Sequence, residues 1–247
     1  MSPEPTADET TELVTEPAAG RRPQSIGLAP GLALDAAGQD AAKYGTTNPV
    51  VQRLLARWLG RLTAVLGTPT GTVVDVGVGE GFALERMFPD GPATGGSVVA
   101  LEYRHDKALV AATKLPAVAV VRGDAGVLPF PDASADLVTS IEVLEHLPRF
   151  EQAVAEMARI CRGRLVVSVP WEPWFRLGNL GRGKNVARLG NDPEHVQAFT
   201  PARLERALRV EFDQVRITRA FPWLIAEASA PRRAAGQHPP AARSPAR

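Results

Sequence analysis

The chain has 247 residues, with 28 Lys and Arg against 27 Asp and Glu, 45% hydrophobic and 22% charged. That balance excludes wholesale disorder, and near-neutral charge argues against a dedicated DNA-binding domain. No run of about 18 apolar residues occurs, which excludes a spanning helix, and no membrane partner is expected; the single cysteine, Cys161, excludes an internal disulfide or a cysteine-based zinc site.

In chain order, residues 1–42 are rich in Pro, Ala, Gly, Thr and acids without an apolar period, so a disordered N-terminal tail is expected. Its acids, Glu4, Asp8, Glu9, Glu12 and Glu16, precede the first base, Arg21, the reverse of a secretory leader. A cytoplasmic location is expected from that order. Residues 43–68 read as an N-terminal cap helix. Asn48 suits the cap and Pro49 the first turn, and Val51, Leu54, Leu55, Trp58, Leu62 and Leu66 share one face.

From 69 to 230 the pattern alternates. TVVDV, SVVALE, AVAVVRGD, ADLVTSIE and RLVVSVP read as strands, with helices at FALERMF, HDKALVAAT and FEQAVAEMARIC. A helix after Thr200-Pro201 and two closing strands, FDQVRITRA and PWLIAEASA, complete the region. Continuously apolar, β-branched strands alternating with helices imply an α/β fold: a mostly parallel sheet with helices on both faces. Residues 171–199 are too long for a simple connection and read as a cover over a substrate site. That segment offers Trp171, Trp174 and Phe175 as flat surface and Arg176, Arg182, Lys184 and Arg188 as charge. Residues 231–247, a Pro/Ala/Arg stretch, are expected to be a disordered C-terminal tail.

The strongest motif is Val73-Val74-Asp75-Val76-Gly77-Val78-Gly79-Glu80-Gly81-Phe82. A buried strand runs into a turn with three alternate glycines and opens a helix, where open α/β sheets bind ligands. Its third glycine comes one place too early for a dinucleotide fingerprint, where Phe82 stands, and no P-loop lysine follows. Glu80 is a poor neighbour for pyrophosphate and suits a cationic or zwitterionic ligand instead. Glu102 ends the second strand, placed to accept the two hydroxyls of a ribose. Asp124 ends the third, placed to read an adenine edge.

These segments, VVDVGVGEGF, LEYR and RGDAGVLPFPDASADLVTSIEVLEHL, together resemble the class I S-adenosylmethionine-dependent methyltransferases. The resemblance covers about residues 69–230. It implies a Rossmann-like seven-stranded, mostly parallel sheet with an antiparallel last strand, and S-adenosylmethionine as cofactor. It implies that Gly77, Gly79 and Gly81 lie beside the methionine part, and that Asp75 or Glu80 holds the amino group. Glu102 would take the ribose, Tyr103 would lie near the adenine, and Asp124 with Ala125 would read it.

The acceptor side is expected at Glu142, Glu145 and His146, which one helical turn would place on one face, with His195 just before the next helix. The pattern is similar to the Glu-x-x-Glu-His element of ubiquinone-biosynthesis O-methyltransferases and of small-RNA 3′-terminal 2′-O-methyltransferases. Two readings stand. The four groups hold a divalent metal such as Mg²⁺, or they line the acceptor pocket, with a His or Glu as general base or with no further role. The expected reaction is in-line methyl transfer to a hydroxyl of a small molecule: a sugar, a quinone or a secondary metabolite. The alternatives are an RNA 2′-O-methyltransferase, although no RNA-binding module is recognisable, and a non-catalytic cofactor-binding regulator.

Overall fold

The computed structural model describes residues 12–13, 44–88, 96–181, 183 and 195–232. The tails expected to be disordered, apart from Glu12–Leu13 and from Pro231 and Arg232, lie outside these residues. So do Arg182, Lys184 and Arg188 of the proposed cover.

Seven strands form one sheet: β1 (Thr72–Val76), β2 (Ser97–Glu102), β3 (Ala119–Arg122), β4 (Ala135–Ile141), β5 (Cys161–Pro170), β6 (Phe212–Ala220) and β7 (Trp223–Pro231). Their spatial order is β3-β2-β1-β4-β5-β7-β6, and the two-residue strand Glu12–Leu13 adds antiparallel at the β3 edge. β3, β2, β1, β4 and β5 pair in parallel. Of these seven strands, β7 alone runs against the rest, slotted between β5 and β6 with Val167 opposite Ala226 and Ile217 opposite Ala226. The expected antiparallel last strand is therefore present.

Side-chain alternation splits the core in two. Val74, Val138, Leu165, Val167, Leu224 and Ala226 point to one face, beneath α4 (Phe150–Ile160) and α6 (Pro201–Glu211). Val73, Leu137, Val166 and Ile225 point to the other, beneath α1 (Pro49–Leu66), α2 (Phe82–Met87) and α3 (His105–Lys114). Apolar residues on both faces explain why the strands read as continuous apolar runs.

α1 starts as its sequence requires. The Asn48 side chain accepts from the amides of Val50 at 3.0 Å and Val51 at 3.3 Å, which satisfies two of the first-turn donors. Leu55, Trp58, Leu62 and Leu66 are buried, and each such side chain contributes about 1.5–3 kcal/mol. Trp58 stacks on Trp223 with centroids 5.0 Å apart, and its indole N–H donates to the Ser168 hydroxyl at 2.9 Å. The cap helix is thus fixed to the ends of β5 and β7.

Candidate active site

The strand order reverses between β1 and β4, and the crevice beyond their carboxyl ends holds a cavity of about 670 Å³. Each strand around the reversal supplies wall residues: Asp75 and Gly77 after β1, Glu102 and Tyr103 after β2, Asp124 and Ala125 after β3, Glu142 and His146 after β4. Sequence motifs scattered over 72 positions therefore converge because parallel strands all end on one side.

The glycine turn is built for close packing. Gly77, Gly79 and Gly81 take φ of 84°, 57° and 84°, in the left-handed region that L side chains rarely adopt. The amides of Gly77 and Val78 donate to the Leu101 carbonyl at 2.7 and 3.0 Å, which ties the turn to β2. A Cβ on Gly77 would lie 2.4 Å from Val143 Cγ2. Gly77 and Gly79 line the cavity, but Gly81 does not: a Cβ there would meet Leu115 Cδ1 at 2.9 Å, beyond the end of α3. Glu80 is buried and also lies outside the cavity wall.

Glu102 is held between two amides. Its Oε2 accepts from Gly79 at 2.8 Å and its Oε1 from Arg104 at 2.9 Å. Asp124 closes a small turn, accepting from the Gly126 amide at 2.7 Å, and Gln152 of α4 donates to the Gly126 carbonyl at 2.9 Å. Tyr103 is 70% exposed at the mouth, whereas Ala125 is buried. Asp75 forms the floor. Burial pushes its carboxyl up to about 7, the Thr139 hydroxyl that donates to it opposes the shift, and the Glu102 charge adds to it.

The acceptor-side residues divide in a way that the one-face expectation did not contain. The segment makes only a three-residue 3₁₀ turn, Leu144–His146, and Glu142 precedes it with φ 60°. Its carboxylate turns instead to Trp223, whose indole N–H donates to Oε2 at 2.9 Å. Glu145, buried, joins His146 and His195, with ligand atoms of the three within 4.8 Å of one another. The two imidazole rings have centroids 5.0 Å apart. The Val196 and Gln197 amides donate to the Glu145 carbonyl at 2.9 and 3.0 Å, which holds the His195 segment in place.

α5 (Trp174–Gly181) opens the cover segment. Phe175 packs against His195 and Trp223 at 5.7 and 6.0 Å between ring centroids. Glu172 is buried below its first turn, and burial raises its carboxyl above the usual range against the pull of Arg176.

The cavity wall also contains Tyr44, which falls within the expected cap at 43–68, and Arg104, Lys107, Arg149 and Gln152. Gln152 was findable, being on the first turn of the helix after β4. The three cations carried no distinguishing signal.

Comparison with known proteins agrees with this geometry. A family model described as "Methyltransferase domain" matches residues 74–167. A demethylmenaquinone methyltransferase of Renibacterium salmoninarum is 36% identical over 139 residues, 55% of this chain and 57% of that protein. A probable S-adenosylmethionine-dependent methyltransferase of Mycobacterium tuberculosis is 33% identical over 100 residues, 40% of this chain and 35% of that protein. The chain thus spans between about a third and three fifths of these relatives' lengths. It covers 70% of a demethylmenaquinone methyltransferase of Roseiflexus castenholzii at 30% identity over 169 residues, 62% of this chain. Among solved structures, magnesium protoporphyrin IX methyltransferase of Synechocystis has a TM-score of 0.56 at 17% identity, covering 76% of this chain and 91% of that one, a likeness of fold.

Proposed function

Because this chain belongs to the class I S-adenosylmethionine-dependent methyltransferase family, we propose that it catalyses in-line methyl transfer from that cofactor to a hydroxyl of a small acceptor of the quinol kind. The observation that carries the reading is the Glu102 carboxylate, pinned by two amides at the mouth of a cavity whose opposite wall holds Glu142 and His146. Both Glu102 oxygens keep a further lone pair for the two hydroxyls of a ribose.

When bound, the cofactor supplies a methyl group on a positively charged sulfur. Asp75 supplies negative charge on the floor for its cationic end, and Asp124 with Ala125 reads the adenine edge. Gly77 and Gly79 let the methionine part approach the backbone. His146 accepts the proton as the acceptor oxygen attacks, so the hydroxyl loses O–H as it gains O–CH₃. Most of the acceleration comes from alignment, which is worth up to about 7–11 kcal/mol in favourable cases. The names of the two demethylmenaquinone methyltransferase relatives and the aromatic rings of Phe175 and Trp223 next to His195 support a quinone-type ring as acceptor; the hydroxyl as the methylated atom rests on the imidazole beside the cavity and not on those names.

Calorimetry with S-adenosylhomocysteine tests the cofactor half, and absence of heat with the folded chain overturns it. For the acceptor half, turnover of quinols is followed by mass spectrometry and NMR. An O-methyl product is expected; a ring methyl overturns the hydroxyl assignment and leaves the transfer. His146→Ala is expected to abolish turnover and keep the calorimetric signal. Unchanged turnover in that variant removes His146 from the reaction.

A second reading rests on Glu145, His146 and His195 lying within reach of one ion. Those three groups would hold a divalent cation, which would lower the proton affinity of an acceptor hydroxyl. Glu142, bonded to Trp223, is not part of that set. Turnover that survives exhaustive chelation overturns this reading and favours the imidazole base.

A further inference from the structure

The outer face of α5 is unlike its inner face. Phe175 points to His195 and Trp223, whereas Trp174 and Leu177 are 43% and 52% exposed. Trp174 meets Phe221, itself 43% exposed, at 6.3 Å between centroids, and both meet Trp171 at 6.4 Å. The result is an exposed aromatic knob formed by two segments distant in sequence. Large rings left in water as a group mark a contact surface, and Trp is the residue most at home at a lipid–water boundary.

The charge around the knob is mostly positive, the exception being Glu172, which pairs with Arg176 at 3.5 Å. α1, α5 and residues 214–222 together contain Arg53, Arg57, Arg61, Arg176, Arg216 and Arg219 and no Asp or Glu. These elements adjoin: Arg61 donates to the Arg219 carbonyl, and the Arg219 guanidinium lies 5.6 Å from the Trp171 ring centroid. Arg53, Arg57 and Arg61 recur every four residues and so form one ridge along α1. In a chain whose charges balance overall, that is a local concentration of cations beside apolar rings. No described helix is long and apolar enough to cross a membrane; apolar rings flanked by arginines are the pattern of a segment that lies on a lipid surface.

We propose that this face seats the chain on an anionic lipid bilayer, with Trp174, Leu177 and Phe221 entering the headgroup layer and the arginine ridge meeting lipid phosphates. Acidic headgroups complement Arg53, Arg57, Arg61, Arg216 and Arg219, and the apolar knob has a place to bury its rings. The seat stands apart from the methyl-transfer reading, because none of these residues forms the cofactor wall.

The test is co-sedimentation of the full chain with vesicles of phosphatidylcholine alone and of phosphatidylcholine mixed with phosphatidylglycerol, at low and high salt. Binding to the mixed vesicles alone, released by salt, is expected. Each arginine contributes roughly fivefold near such a surface, so the triple variant Arg53→Gln, Arg57→Gln, Arg216→Gln is expected to bind about a hundredfold more weakly. Trp174→Ser with Phe221→Ser is expected to weaken binding at least about tenfold. Thermal stabilisation by S-adenosylhomocysteine should persist in both variants and shows that they fold. If either fails to fold, the lipid and salt dependence of the unaltered chain decides alone. No sedimentation, equal binding to neutral vesicles, or binding indifferent to folded variants of both kinds overturns the proposal. A chain that binds mixed vesicles but gives no heat with S-adenosylhomocysteine keeps the seat and loses the proposed function.

Discussion

The backbone amide of Gly79 donates to the carboxylate of Glu102 at 2.8 Å, which joins the glycine turn after β1 to the end of β2. One acidic side chain therefore both shapes the turn and presents negative charge to the cavity. Glu102→Ala removes two charge-assisted hydrogen bonds and any ribose contact. The expected result is a loss of S-adenosylhomocysteine affinity of roughly 10- to 100-fold, from about 1.5–3 kcal/mol per bond to a charged group. Glu102→Gln keeps one acceptor oxygen and should lie between. Calorimetry on the three proteins checks the order, and equal affinities would remove Glu102 from the cofactor site.

Gly77 offers a sharper steric test. Its φ of 84° and a Cβ position 2.4 Å from Val143 Cγ2 leave no room for a side chain. Gly77→Ala is expected to cost about 2–4 kcal/mol, combining left-handed backbone strain with overpacking. Adding Val143→Ala should return the packing part and not the backbone part. Denaturant titration measures both, and a neutral single variant shows that the turn relaxes.

The same two positions show what the sequence could and could not express. Asp75, the glycines and Glu102 lie at strand ends, and parallel strands bring their ends together whatever the loops do. That made the convergence of these residues on one cavity legible from spacing. The glycines look alike in sequence but differ in duty: Gly77 and Gly79 face the cavity, while Gly81 accommodates Leu115, 34 positions further on. Glu142 and Glu145 differ for a similar reason. Which carboxylate joins His146 depends on a backbone φ of 60° at Glu142 and on Trp223, 81 residues away, neither of which a local pattern contains. Arg104, Lys107 and Arg149 reach the cavity only through tertiary placement, in a chain with many other arginines.

Asp75 predicts a pH dependence with a definite sign. Burial raises its folded-state pKa from 3.8 to about 7, so the native state binds the proton more tightly than the unfolded chain. The associated stability is fully present below pH 3.8 and is lost as pH rises through about 7, up to roughly 4 kcal/mol in all. Asp75→Asn should flatten that part of the stability profile, as measured by urea titration between pH 4 and 8. A cationic ligand favours the ionised carboxylate, so cofactor affinity should instead rise over the upper part of the same range. Binding near pH 6 should release a proton, seen as different heats in buffers of different ionisation enthalpy. Buffer-independent heats would mean that Asp75 keeps one protonation state throughout.

Tyr44 connects the cap to the cavity. Its ring stacks on Phe82 with centroids 5.7 Å apart and planes 15° apart, and the Arg86 guanidinium lies 4.9 Å from its centroid. Phe82 is held from its own side by the Lys114 ammonium at 3.5 Å. Tyr44 lines the cavity with Gly77, Gly79 and Ala83, so the stack is expected to act as a lid over the end where the methionine part is proposed to sit. A stacked pair is worth about 0.5–1.5 kcal/mol beyond burial. Phe82→Leu keeps α2 apolar and removes the platform, so S-adenosylhomocysteine affinity should fall roughly 2- to 10-fold. Tyr44→Ala should match or exceed that loss, and Tyr44→Phe should restore most of it. Stopped-flow dissociation gives the discriminating readout: a lid slows release, so the first two variants should raise the off-rate and leave the on-rate nearly unchanged. An unchanged off-rate in Tyr44→Ala would mean that the ring packs against α2 without covering the ligand.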